Sequence, residues 1–511
     1  MRHSSLLILP LALAVPLAAQ SPAPAAPSAL GAAAATITPA DVARRVGVIA
    51  HDSMMGRDTP SPGLEKTARY LADEFRRFGL KPGGENGTWF QRYTIARRRL
   101  DAGASRITFV AGGARSAARF DRDAALTFGG APARPVAGTP YLLAGALDPA
   151  RIDRSALKGR LLLVVLDYAK PRPPAAQQAL GVALQTGVRG IVLISNRDSA
   201  ELAERLARQS QPQLSVGSRD DLVPVVEVHE RAIRPALGAA GLDPARLRAA
   251  DSMVARVVEG LTVELALRAE VLDSASAPNT IGILEGSDPE LKHEYVVYSA
   301  HMDHVGIAPG RPDSIYNGAD DDASGTAGLV ELAEAFAQPG ARPKRSILFV
   351  GVSGEEKGLW GSAHFAEHPT VPLRSMVANI NMDMIGRNWK DTIVAIGKEH
   401  SDLGATLERV NAAHPELRMT AIDDRWPEEN FYYRSDHFNF ARKGVPILFF
   451  FNGVHPDYHQ PSDSPEKIDA EKEARILRLL FYLGQEIGNA PERPKWNPES
   501  YRRIVEGAEA S

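Results

Sequence analysis

Cysteine is absent from all 511 residues. That excludes disulfides, a thiol nucleophile and any thiolate metal site, so a bound metal would have to be held by His, Asp and Glu. No block of Lys and Arg stands out, and the net charge is only −3. Nucleic acid is therefore not expected as a partner. Beyond the N-terminus, no uninterrupted apolar run reaches the roughly 18 residues that a spanning helix needs. What is present is ordinary globular composition, 44% hydrophobic and 24% charged, in a chain long enough for two or more domains.

The first twenty residues, MRHSSLLILPLALAVPLAAQ, have the form of an export signal. Arg2 supplies a weak basic start, Leu6 to Ala19 an apolar stretch interrupted by two prolines, and Ala18-Ala19-Gln20-Ser21 small residues suited to cleavage. The expectation is a signal peptide at 1–20 and a flexible Ala/Pro/Ser-rich leader at 21–37. The mature protein would then be exported, periplasmic or secreted, without stable membrane insertion.

Further along, the patterning changes three times. Residues 38–100 begin with helical spacing in ADVARRVGVIAHDSM and GLEKTARYLADEFRRFGL, separated by the loop GRDTPSPG. Residues 101–258 hold short buried-type strands at 159–169, 188–196 and 222–229 around an Ala-rich helical run at 174–186, without clustered acids or histidines. This block reads as a smaller α/β module inserted into a larger one. Residues 259–490 alternate strands (261–271, 279–285, 294–300, 345–351, 375–382, 391–396, 444–451) with helices (322–337, 402–414, 469–488), and 491–511 read as a tail. Near-continuous apolar runs such as PILFFF argue for an α/β fold with a mainly parallel mixed sheet flanked by helices.

Ligands gather at the carboxyl ends of strands in such sheets. Here each buried strand of the C-terminal half delivers an acid or a histidine there. VVYSA runs into His301-Met302-Asp303-His304, SILFVGVSG into Glu355-Glu356, VANINM into Asp383, and VPILFFFNG into His455-Pro456-Asp457-Tyr458-His459. The loop NGADDDASG opens a helix between the first two. An isolated Glu-Glu pair reads most simply as a solvated turn; in this series it suits a pair of divalent ions. Such a site needs a bridging carboxylate, about two further ligands per ion, and one unligated carboxylate as general base. Spacing alone leaves the bridging residue open among Asp320, Asp321 and Asp322.

The segments SAHMDHVG, NGADDDASG, GEEKGLWGS, NMDMIG and HPDYHQPSD, in this order, resemble the signature segments of the M28 family of zinc aminopeptidases. GRDTPSPGLEKTARYLADEFRRFGLKP is similar to the helical opening of its bacterial members, and residues 101–258 resemble the protease-associated domain often inserted there. The resemblance implies a zinc-peptidase fold and two Zn2+ ions held by His301, Asp321, Glu356, Asp383 and His459. It further implies Glu355 as general base and Tyr458 as oxyanion donor, with Asp303 orienting His301. Substrates would be peptides with a free N-terminus. His304 is expected in a supporting or surface role. The oligomeric state is left open.

Alternatives keep the fold and change the function. A carboxypeptidase or dipeptidase acting on acidic peptides would use arginines such as Arg387 or Arg434, and a receptor-like relative would have lost ligands, which this chain keeps. The M20 family also pairs zincs with adjacent glutamates, but inserts its extra domain between the last two ligands, whereas here the insertion precedes the first. Glutaminyl cyclases lack the equivalents of His301 and Asp303 as a metal site. Ser435-Asp436-His437 lie too close in sequence for a hydrolytic triad, and His51, His364 and His414 are expected to be surface or packing residues.

Overall fold

The computed structural model describes residues 28–170, 174–217 and 222–507; the expected export signal and residues 21–27 of the leader lie outside them. Its main sheet contains β1 (Phe90–Leu100), β2 (Ala269–Leu284), β3 (Tyr295–His301), β4 (Ser346–Val352), β5 (Met376–Met382), β6 (Thr392–Ile396) and β7 (Ile447–Phe450). The spatial order is β1-β2-β4-β3-β5-β7-β6, with Gln213–Val216 beyond β1 and Thr420–Ile422 beyond β6. The central strands β4, β3, β5 and β7 are mutually parallel. β1 and β2 run antiparallel to each other and β2 to β4, and β6 runs antiparallel to β7. The parallel character expected from strand–helix alternation thus holds for the centre, the flanking strands β2 and β6 join it antiparallel, and Thr420–Ile422 runs parallel to β6. Every residue of β4 and β5 is buried, as in a sheet covered on both faces.

One face is covered by α1 (Pro39–Ile49), α2 (Pro62–Arg77), α3 (Gly325–Phe336), α4 (Leu403–Ala413) and α5 (Ala470–Asn489). Thr38 caps α1, accepting the Asp41 N–H at 3.1 Å, and Ser61 caps α2 through the Leu64 N–H. Leu64, Ala68, Leu71 and Phe75 fall on one face of α2 at three- and four-residue spacing and are all fully buried. On the opposite face of the sheet, Val297, Leu348 and Val350 pack with Phe365, Phe440, Ile504 and Val505.

Four boundaries differ from expectation. Ala29–Ala34, within the expected leader, is a helix whose Ala33 and Ala34 are buried in the main core. Small side chains that look like low-complexity sequence allow this close packing. The expected tail also packs: Trp496 Nε1 donates to the Gly444 carbonyl, and Ile504 and Val505 are buried. Leu261–Ala266, assigned by its apolar alternation to the main part, pairs instead with Arg106–Ala111 in a separate four-stranded sheet. Gln213–Val216, from within the inserted block, pairs antiparallel with β1 at the edge of the main sheet. The rest of that block supplies the other strands of the four-stranded sheet and a six-stranded sheet around Leu161–Val165, Gly190–Ser195 and Val225–His229, with two cores of its own. Among the described residues, no helix is long and apolar enough to cross a membrane.

Candidate metal centre

Because β3, β4, β5 and β7 are parallel and adjacent, their carboxyl ends open onto one place. His301 ends β3, Glu355 and Glu356 follow β4, Asp383 follows β5, and His459 lies in the loop after β7. Asp321, ahead of α3, completes the set. His301 Nε2 lies 3.3 Å from Asp321 Oδ1 and 3.6 Å from Asp383 Oδ1. His459 Nε2 lies 3.1 Å from Asp321 Oδ2 and 3.0 Å from Glu356 Oε2. Asp321 thus presents one carboxylate oxygen to each group, and all five expected ligands come together.

These approaches are not hydrogen bonds. Among the described residues, His301 Nε2, Asp321 Oδ2 and His459 Nε2 are buried and have no hydrogen-bond partner. Buried polar atoms are normally paired; atoms that crowd together while pointing past one another converge on a shared point between them. The donor set of imidazole nitrogens and carboxylate oxygens fits divalent-cation binding, as of Zn2+.

The electrostatics agree with a cation-binding site. Burial opposes protonation of His301, yet the carboxylates of Asp383, Asp321 and Asp322 override it and push the imidazole well above its ordinary value. His459 behaves likewise, its burial outweighed by Asp321 and Glu356, and is pushed up to about 10. Burial drives the Glu355 carboxyl well above the usual range, helped by Asp436, Asp383 and Glu356 and opposed by His301. Burial also lifts Asp303 to about 6. So many carboxylates in one dry place call for positive charge.

The expected role of Asp303 needs correcting at the level of atoms. His301 Nδ1 lies 3.1 Å from the Asp303 backbone carbonyl, to which it donates, and 3.8 Å from the nearer carboxylate oxygen. This fixes Nε2 as the outward-facing nitrogen. The Asp303 carboxylate instead accepts the Glu355 N–H at 3.3 Å. The neighbours of Asp321 are braces. Asp322 accepts the N–H groups of His301, Gly325 and Met384 at 3.0, 2.9 and 3.2 Å, tying together the end of β3, the start of α3 and the turn after β5. Asp320 accepts the Gly386 N–H at 2.7 Å and pairs with His455 at 3.2 Å. Ser435 Oγ donates to Asp383 Oδ2 at 2.9 Å, and His437 Nε2 to the Tyr432 carbonyl at 2.8 Å, which leaves no serine triad.

Glu355 and Tyr458 line a cavity beside this centre, walled by Phe431, Phe449, Phe451 and Val454. The Tyr458 ring stacks on His459 with centroids 3.9 Å apart. Arg434 also lines the cavity, whereas Arg387 is held by Asp457 at 3.0 Å. His304 is not at the surface: it is fully buried, its Nδ1 2.8 Å from Glu356 Oε1. His51 hydrogen-bonds Ser53, His364 packs on Tyr93 and His414 stacks on Tyr482.

Sequence reasoning passed over Arg57. Its guanidinium is fully buried and donates to the carbonyls of Met302, Ile49, Asn317 and Gly318 at 2.9, 3.0, 2.6 and 2.8 Å. It pins the loop after β3 to the loop carrying Asp321. The signal was a lone arginine in GRDTPSPG, which by itself reads as a solvated turn residue. Thr59 from the same stretch accepts the Gly354 N–H at 3.1 Å, bracing the turn that carries Glu355.

Residues 279–484 match the model of Peptidase family M28. The chain is similar to the aminopeptidase YwaD of Bacillus subtilis, 28% identical over 241 residues, 45% of this chain and 49% of that protein. It is also similar to a probable zinc metalloprotease of Pyricularia oryzae, 38% identical over 258 residues, 42% of this chain and 50% of the relative. The chain thus spans about half the length of these curated relatives. Among solved structures it is similar to the aminopeptidase from Aneurinibacillus sp. strain AM-1, with a TM-score of 0.49 and 18% identity over 90% of this chain and 96% of that one.

Proposed function

We propose that the protein is an exported zinc aminopeptidase of peptidase family M28, whose model residues 279–484 match, with a two-ion centre. The observation that carries the reading is Asp321, which offers one oxygen to the His301/Asp383 group and the other to the Glu356/His459 group. Two divalent ions there would supply Lewis acidity toward the scissile carbonyl and make a water molecule acidic at neutral pH.

The chain's own residues do the rest. Glu355, left out of both donor groups and facing the cavity, takes a proton from the attacking water and returns it to the leaving amine. Its N–H bond to the Asp303 carboxylate holds the backbone of the turn in place. The Tyr458 hydroxyl donates to the oxyanion as negative charge develops on the carbonyl oxygen. The surplus of carboxylates favours a substrate with a free α-ammonium group, and the aromatic wall of Phe431, Phe449 and Phe451 favours an apolar first side chain. The sheets between 106 and 266 are read as the protease-associated domain that the sequence resembles.

The test is a peptide mixture incubated with the zinc-loaded protein, each peptide supplied free and amino-terminally acetylated, with products identified by mass spectrometry. Single residues lost from the free forms only are expected. Loss from the carboxyl end, or indifference to acetylation, overturns the reading.

A further inference from the structure

We propose that one ion of the two-ion centre is held by four protein side chains, with His304 Nδ1 as a ligand beside Asp321, Glu356 and His459. This rests on the metal-centre reading and adds a residue to it. His304 follows the end of β3 by three positions and is fully buried. Its Nδ1 lies 2.8 Å from Glu356 Oε1 and 3.6 Å from Asp321 Oδ2. Donor atoms of His304, Asp321, Glu356 and His459 all fall within 4.8 Å of one another.

The decisive feature is what the short contact fails to be. Neither ring nitrogen of His304 nor Glu356 Oε1 has a hydrogen-bond partner among the described residues, although all three are buried, and it is Nδ1 that stands close to Glu356 and Asp321. An N–H from Nδ1 aimed at Glu356 would satisfy both of those atoms. Two donors that approach without pointing at each other are arranged like neighbouring ligands of one ion, and His301 Nε2 and His459 Nε2 carry the same signature. In a tetrahedral zinc site with bonds near 2.0 Å, adjacent ligand atoms stand about 3.3 Å apart. The distances of 2.8, 3.0, 3.1 and 3.6 Å in this group bracket that value.

The ring is also held in place. Gly318 has φ +55°, and a Cβ there would fall 2.5 Å from His304 Cγ. The His304 and His459 rings meet edge to face with centroids 5.5 Å apart. The two ions would then be unequal. His301, Asp321 and Asp383 give one position three protein donors, open to solvent chemistry, while the other has four and retains its ion more firmly.

The experiment compares the unaltered chain with His304→Ala and His304→Cys, each loaded with Co2+. Bound cobalt is followed against graded chelator, and the electronic absorption is recorded. The unaltered protein is expected to release one ion readily and the other reluctantly. His304→Ala should weaken the firmly held ion by more than about a hundredfold, beyond the 10- to 100-fold typical of an outer hydrogen-bond partner, and alter the visible cobalt bands. His304→Cys should retain the ion and gain a thiolate-to-cobalt charge-transfer band, which no other residue of this cysteine-free chain can produce. That band decides the matter should the alanine variant fail to fold. Unchanged cobalt spectra in folded His304→Ala, or a cysteine variant without the band, overturn the assignment, and a weakening below a hundredfold then makes His304 a hydrogen-bond partner of Glu356. An unaltered chain that binds no cobalt would remove the metal-centre reading itself.

Discussion

The imidazole of His301 is held by the backbone of Asp303, not by its side chain: Nδ1 is 3.1 Å from the carbonyl oxygen and 3.8 Å from the closest carboxylate oxygen. Asp303→Asn leaves that carbonyl in place. Metal affinity is therefore expected to stay within about tenfold of the unaltered protein, at the mild end of changes around a ligand. Activity should fall more than affinity, because the carboxylate supports the Glu355 turn. Equilibrium dialysis beside steady-state kinetics separates the two; parallel losses would return the orienting role to the carboxylate.

Glu355→Gln removes the proposed proton carrier and keeps the shape. The variant is expected to bind metal normally and to lose roughly 10² to 10⁴ in kcat, the usual contribution of general acid–base catalysis. Metal analysis and kcat on one preparation check this, and turnover within tenfold of normal would reassign the base.

Among the described residues, Arg57 has no charged hydrogen-bond partner and donates to four carbonyls. Lys cannot reproduce the planar fork that reaches four of them at once. Arg57→Lys is expected to lower stability by about 3 kcal/mol or more, since hydrogen bonds to a charged group contribute about 1.5–3 kcal/mol each. Denaturant unfolding measures it, and a midpoint equal to that of the unaltered chain contradicts the pinning role.

Under the proposed aminopeptidase reading, the cavity wall would set a preference for the first residue. Peptides beginning with Leu or Phe are expected to exceed those beginning with Ala in kcat/KM by about tenfold or more, the scale of a few methylene contacts in an apolar pocket. Phe449→Ala should compress that ratio. A ranking led by acidic residues would instead implicate Arg434.

His437 makes acid stability titratable. Burial lowers its pKa to about 3, opposed by its bond to the Tyr432 carbonyl. The folded chain therefore keeps the imidazole neutral while the unfolded chain protonates it below about 6.5. Its contribution is fully present above that value and is lost as pH falls toward 3, by about 1.4 kcal/mol per pH unit. Unfolding curves from pH 7 to 4 should show the decline, and His437→Phe, which keeps the stack on Phe449, should flatten it. Equal slopes in both proteins would exclude His437 as the source.

The sequence by itself determined which residue types stand at the ends of which strands, and in what order. His301, Glu355-Glu356, Asp383 and His459 each stand at or after the end of a buried apolar run, a pattern local enough to be read without a structure; β3, β4 and β5 fall within one residue of the expected bounds, and β7 begins three residues later than expected. Local pattern could not tell which sheet a strand joins. Leu261–Ala266 and Gln213–Val216 have ordinary alternating character, and only long-range pairing sends each across the expected boundary. Nor could it assign Arg57, whose four acceptors come from segments up to 261 positions away, or separate the Asp303 carbonyl from its carboxylate. His304 was legible as a histidine near the site and no further. Whether its nitrogen faces solvent, Glu356 or a shared point depends on the spatial order of the strands, β4 beside β3 and β5 beyond it. That order differs from the order in the chain, so convergence of the side chains belongs to tertiary structure.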